Sequence, residues 1–137
     1  MGIHSRIPVT AGPFADPTPD AAYVIARVPE GAGKMTLVGA SAVCDATIAE
    51  SGTDFVGLRI AKIGAAGTTT PVNVTSLLGG ASNGAWTADV PREFTITETD
   101  DVNVLAEGEY LKLTYDEGGT VAPGAISVFL ELAPGIA

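Results

Sequence analysis

The feature that most constrains this chain is its punctuation. From Ala22 onward, short runs rich in Val, Ile, Thr, Phe and Tyr alternate with clusters of Gly, Asn, Asp and Pro. No stretch holds a helical period for several turns. β-Branched and aromatic residues suit a pleated surface, and the many glycines oppose a helix. The runs "AYVIARV" (22–28), "MTLVGASAVCD" (35–45), "DFVGLRIAKI" (54–63) and "PVNVTSL" (71–77) read as strands. So do "REFTIT" (92–97), "VNVLA" (102–106), "YLKLTY" (110–115) and "AISVFLEL" (125–132). Between them, "PEGAG", "ESGT", "GAAGTTTP", "LGGASNGA", "AEGE" and "DEGGTVAPG" supply the positive or fixed φ that turns need.

Period-two alternation gives the strands two faces. Ile126, Val128, Leu130 and Leu132 fall on one side, with Ser127, Phe129 and Glu131 on the other. Leu111, Leu113 and Tyr115 alternate with Lys112 and Thr114, and Val56, Leu58 and Ile60 with Gly57, Arg59 and Ala61. About eight short strands at this spacing predict an all-β chain folded as an antiparallel β-sandwich. A chain of 137 residues suggests one domain, large enough to bury roughly two-thirds of its unfolded surface. Strand order is not written in periodicity.

Residues 1–21 differ. Pro8, Pro13, Pro17 and Pro19 remove backbone donors and bias their neighbours to extended conformations, and Ile3, Ile7, Val9 and Phe14 are scattered among them. The expected organisation is an extended N-terminal arm over 1–21 and a β-sandwich domain over 22–137. An idle leader and a partner-binding arm both fit this composition. The apolar anchors Ile3, Ile7, Val9 and Phe14 put the second on equal terms with the first.

Charge and motif readings exclude several functions. Residues 1–97 carry eight acids and six bases, whereas residues 98–137 carry eight acids against Lys112 alone, within a net charge of −9. Such a balance argues against binding nucleic acid, which requires a basic surface, and against an anionic membrane. No apolar run approaches the roughly 18 residues that span a bilayer. "VPEGAGKMT" (28–36) begins like a phosphate-cradling loop. Met35 stands where Ser or Thr is needed, however, and a strand-like run follows where a helix N-terminus should be.

No catalytic, cofactor or metal residues emerge. His4 is the single histidine and lies in the arm, while Cys44 is the single cysteine, in the apolar context of a buried small hydrophobe. Asp100 and Asp101 are adjacent and would face opposite ways in a strand, which suits no paired acid and base. The acidic segment "TETDDVNVLAEGE" (97–109) holds oxygen ligands but fails the EF-hand pattern, since Leu105 and Ala106 stand at its fifth and sixth positions. A loop calcium site of another kind stays open beside a solvated turn. Trp86 suits a core or interface better than a sugar platform, and Phe129, on the outward side of the last strand, suits either cover by a loop or a subunit contact.

The succession "VPEGAGKMTLVGASAVCDATIAESGTDFVGLRIAKIG", "GTTTPVNVTSL", "WTADVPREFTI" and "VNVLAEGEYLKLTYDEGGTVAPGAISVFLEL" resembles small head decoration proteins of tailed bacteriophages, over about residues 28–132. The resemblance lies in strand edges and turns, with no invariant chemical motif. It implies a jelly-roll-like sandwich without enzymatic activity that sits on the outer surface of the virion capsid. It further implies a homotrimer at local threefold axes, bound to the major capsid protein and stabilising the shell. On that reading Ile3, Ile7, Val9 and Phe14 are capsid contacts, and Phe129 and Trp86 are subunit-interface residues. The alternative is a carbohydrate-binding β-sandwich module or a fibre domain, which would need an exposed aromatic platform.

Overall fold

A computed structural model of the chain describes residues 6–15, 22–49, 51–67, 70–81, 84–119 and 121–134. Among the described residues ten strands form in chain order. They are β1 (Ile7–Phe14), β2 (Ala22–Arg27), β3 (Met35–Cys44), β4 (Phe55–Ile63), β5 (Val72–Asn73), β6 (Leu78–Gly79), β7 (Arg92–Glu93), β8 (Val104–Leu105), β9 (Tyr110–Gly118) and β10 (Ile126–Pro134). Among the described residues the helical structure is one 3₁₀ turn, Thr99–Asp101.

All strand pairs are antiparallel and fall into two sheets. Sheet A runs β1-β10-β3-β7, with β8 also on β3; sheet B runs β2-β9-β4-β5, with β6 also on β4. Setting aside the two-residue β6 and β8, which share an edge with β5 and β7, eight principal strands remain. In their numbering, sheet A is first-eighth-third-sixth and sheet B is second-seventh-fourth-fifth. This order arises when a long antiparallel hairpin, pairing first with eighth and fourth with fifth, is rolled into two layers. The sandwich is a jelly roll.

The alternating runs place the core as the sequence implies. Ile126, Val128 and Leu130 from sheet A meet Val56, Leu58, Ile60, Leu111, Leu113 and Tyr115 from sheet B, all essentially without solvent exposure. Each such aliphatic side chain contributes about 1.5–3 kcal/mol through burial, which is how a chain without internal disulfides holds two sheets together. Polar groups caught at the seam are satisfied. Asn103 donates from Nδ2 to the Leu37 carbonyl at 3.1 Å and accepts from the Leu37 N–H through its own carbonyl at 2.9 Å. Thr75 Oγ1 accepts the Ile60 N–H at 3.1 Å, and Lys62 Nζ donates to the Val104 carbonyl at 2.9 Å, linking the sheets.

The segment expected as an arm behaves differently over Ile7–Phe14. It is a strand of the sandwich, with Ile7 opposite Leu132, Val9 opposite Leu130 and Phe14 opposite Ile126. Its prolines are compatible because β1 is an edge strand. Pro13 sits where the register shifts between Ala11 and Phe14, and an edge strand need not donate on its solvent side. β7 ends at Glu93, short of the expected 92–97; the Phe94 N–H still reaches the Ala40 carbonyl of β3 at 2.9 Å, and Ile96 then bridges to Thr75 beside β4.

Candidate functional site

Sheet A presents one broad outer surface. Antiparallel register aligns Thr10, Phe129, Ser41 and Glu93 in one row across four strands, and Pro8, Glu131 and Gly39 in the next. Small side chains surround Phe129, so its ring stands up from the sheet and is 42% exposed, beside a shallow depression of about 190 Å³. Arg6 crosses to Glu131 at 2.9 Å on this surface. Both side chains are more than half exposed, so screening leaves that pair worth at most about 1 kcal/mol.

The residues singled out in the sequence do not converge. Ile3 lies outside the described residues. Ile7, Val9 and Phe14 share the inward row of β1, since they pair with the inward residues of β10. Val9 and Phe14 pack against the chain's own core, and Phe14 stacks on Tyr23 with ring centroids 4.3 Å apart and planes at 20°. Ile7, at the end of the strand, is 42% exposed. Phe129 faces the opposite side of the same sheet.

Trp86 belongs to the core, with 1% exposure. Its indole N–H donates to the Val56 carbonyl at 3.2 Å, and the Arg92 guanidinium lies 4.8 Å from its ring centroid. That enclosure corrects the expectation of Trp86 as a subunit contact: the ring offers neither a partner subunit nor a sugar a surface. The reason is its backbone bridge to the buried Ile48, which holds the ring against Gly79 and the Val56 carbonyl.

The acidic segment 97–109 is drawn into scaffold work. Glu107 Oε1 accepts the Gly33 N–H at 3.0 Å, and Glu109 Oε1 accepts the Ala106 N–H at 2.7 Å. The glycine turn at 29–33 therefore holds a carboxylate of its own chain. Asp100 and Asp101 are exposed, both with φ of 55°. Among the described residues no three His, Cys, Asp or Glu side chains approach closely enough to hold a metal ion. Cys44 is fully buried opposite Ile126, and burial pushes its thiol from 9.0 to about 12 despite the opposing charge of Arg92. A thiol so protonated is a packing group and a poor nucleophile.

The topology and the bare outer face define a jelly-roll module with a broad surface open to other molecules, and known structures share that fold. A chain of the capsid of Ralstonia phage GP4 matches with a TM-score of 0.65 at 14% identity, covering 99% of this chain and 87% of that one. A chain of the cyanophage Pam1 capsid asymmetric unit matches with a TM-score of 0.54 at 13% identity, covering 96% and 86%. No protein-family model matches the sequence, and no curated protein matches it either.

Proposed function

We propose that this chain is a non-enzymatic decoration protein of a bacteriophage head, bound to the major capsid protein on the outer surface of the shell and stabilising it. The observation that carries this reading is the likeness of fold, over 99% of the chain, to a chain of the capsid of Ralstonia phage GP4. The sequence resemblance to head decoration proteins points the same way.

The bare face of sheet A suits contact with a subunit or shell, with Phe129 as its anchor. A homotrimer at a local threefold axis would engage three sites at once, and effective concentration would multiply a modest single-site affinity. The arm residues take divided roles. Val9 and Phe14 are committed to the fold, which leaves Ile7, and with it Ile3, as the capsid contacts of the arm. Because β1 is already ordered in the sheet, docking through it carries little of the ordering cost that a disordered arm would bear.

The test is co-sedimentation of the purified chain with heads of its own virus assembled without it. Saturable pelleting at one trimer per local threefold position, with heads that then resist heating or osmotic shock better, is the expected result. Failure to pellet at micromolar concentration would remove the proposal.

A further inference from the structure

The outer face of sheet B is grooved where that of sheet A is bare. The chain from Pro71 to Gly80 runs along the edge of β4 and turns Leu77 over its outer surface, so that a Cβ on Gly57 would meet Leu77 Cδ1 at 3.0 Å. Between this ridge and Ala22 of β2 lies an open groove of about 520 Å³, a size that accommodates a few side chains. Its floor is Arg59 and Ala61 of β4 and Lys112 and Thr114 of β9.

Two of the chain's seven basic residues therefore share one groove in a protein of net charge −9. Others are engaged elsewhere: Arg6 with Glu131, Arg27 with Glu30, Lys62 with the Val104 carbonyl, and Arg92 with Trp86 and the Ala85 carbonyl. The Arg59 and Lys112 side chains have neither a hydrogen bond nor an ion pair among the described residues. Arg59 Nε is enclosed with no acceptor among the described residues. The register sets Arg59 opposite Thr114 and Ala61 opposite Lys112, which makes the two cations diagonal neighbours on adjacent strands.

A guanidinium fork beside an ammonium, with apolar walls, is a receptor for carboxylate. The lining also limits where a carboxylate can sit. Asp116, opposite Gly57, adds a negative charge at one end of the groove and is, like Lys112, a diagonal neighbour of Arg59, so the Lys112 side favours the carboxylate. Tyr115 borders the groove but is 1% exposed, so no ring face is offered to a sugar. Pro71, exposed, and Leu77, half-buried, supply apolar contact instead.

We propose that this groove docks an acidic segment of a partner protein. An Asp or Glu carboxylate lies between Arg59 and Lys112, and a neighbouring apolar side chain packs against Pro71 and Leu77. The inference uses nothing on sheet A and holds whether or not the chain decorates a head.

Amide chemical-shift titration of the full chain with a capped tri-glutamate peptide tests it, with capped tri-glutamine and tri-galacturonate as comparison probes. The resonances of Arg59, Leu77 and Lys112 are expected to move with tri-glutamate and to stay still with tri-glutamine. Arg59→Met, which retains the packing of the side-chain stem, should weaken binding about tenfold, and Lys112→Met should do so in parallel. Asp116→Asn, which removes the like charge, should tighten it about threefold. Four results would overturn the proposal. These are no movement at the groove, equal movement in Arg59→Met with its fold intact, movement with tri-galacturonate alone, and shifts that follow protein concentration without any probe, which would make a second copy the occupant.

Discussion

β10 and β4 read alike in the sequence and differ in the fold. β10 alternates strictly, with Ile126, Val128, Leu130 and Leu132 buried and Phe129 and Glu131 exposed. In β4, Val56, Leu58 and Ile60 are buried, but so are Gly57, Ala61 and Ile63 on the other side. The first strand has one packed face and one bare face; the second is packed on both. Outward positions on the two strands therefore answer to different forces. On β10 they are set by solvent and by whatever docks there, and on β4 by the chain segment that turns Leu77 over them.

The inward rows should be equivalent, and truncating them is the strongest way to break the comparison. Leu58→Ala and Leu130→Ala are each expected to cost about 2–5 kcal/mol in urea unfolding, and a markedly smaller loss in either would mean that its layer is loosely packed. The outward rows should diverge. Gly57→Val forces a side chain against Leu77 and should cost about 1–3 kcal/mol, whereas Ser127→Val on the open face should change stability by no more than about 0.5 kcal/mol.

Alkaline titration sharpens the inward side of the contrast at Cys44, opposite Ile126. A thiol whose pKa is raised by folding loses stability as pH climbs, because only the unfolded chain readily releases the proton. Its contribution is full below about 9 and falls away between 9.0 and about 12, by about 1.4 kcal/mol per pH unit. Cys44→Ala should flatten the profile in that window, which denaturant melts at stepped pH would reveal. Phe129→Thr should also change folding little, within about 1 kcal/mol, since Thr suits an exposed strand position. If Phe129 is a subunit contact, the same variant should turn a trimer into a monomer in light scattering, and an unchanged mass would dismiss that role.

The strands whose two faces differ were the ones legible in the sequence. β9 and β10 declare themselves because one side meets solvent, and their inward residues are those the alternation names. β1 was hidden because Pro8 and Pro13 forbid a central strand, and nothing local says that an edge position is vacant beside β10. β6 was hidden in "LGGASNGA", where glycine signals a turn. In fact Gly79 keeps a φ of 84° against the Val56 carbonyl and Trp86, an approach that leaves no room for a Cβ. The groove on sheet B was half legible. Arg59 and Lys112 are both visible as outward residues, but only the pairing of β4 with β9, between segments distant in sequence, makes them neighbours.

The pairing of the first strand with the last also sets a clock. Arg6, one residue ahead of β1, meets Glu131 across a separation of 125 residues. A growing polypeptide must carry β1 unpaired until β10 has been made and has emerged from the ribosome. Closing so long a loop is among the slower events in folding. The edge of sheet A therefore cannot close before β10 has been made, whereas β2, β9, β4 and β5 of sheet B are all complete by then.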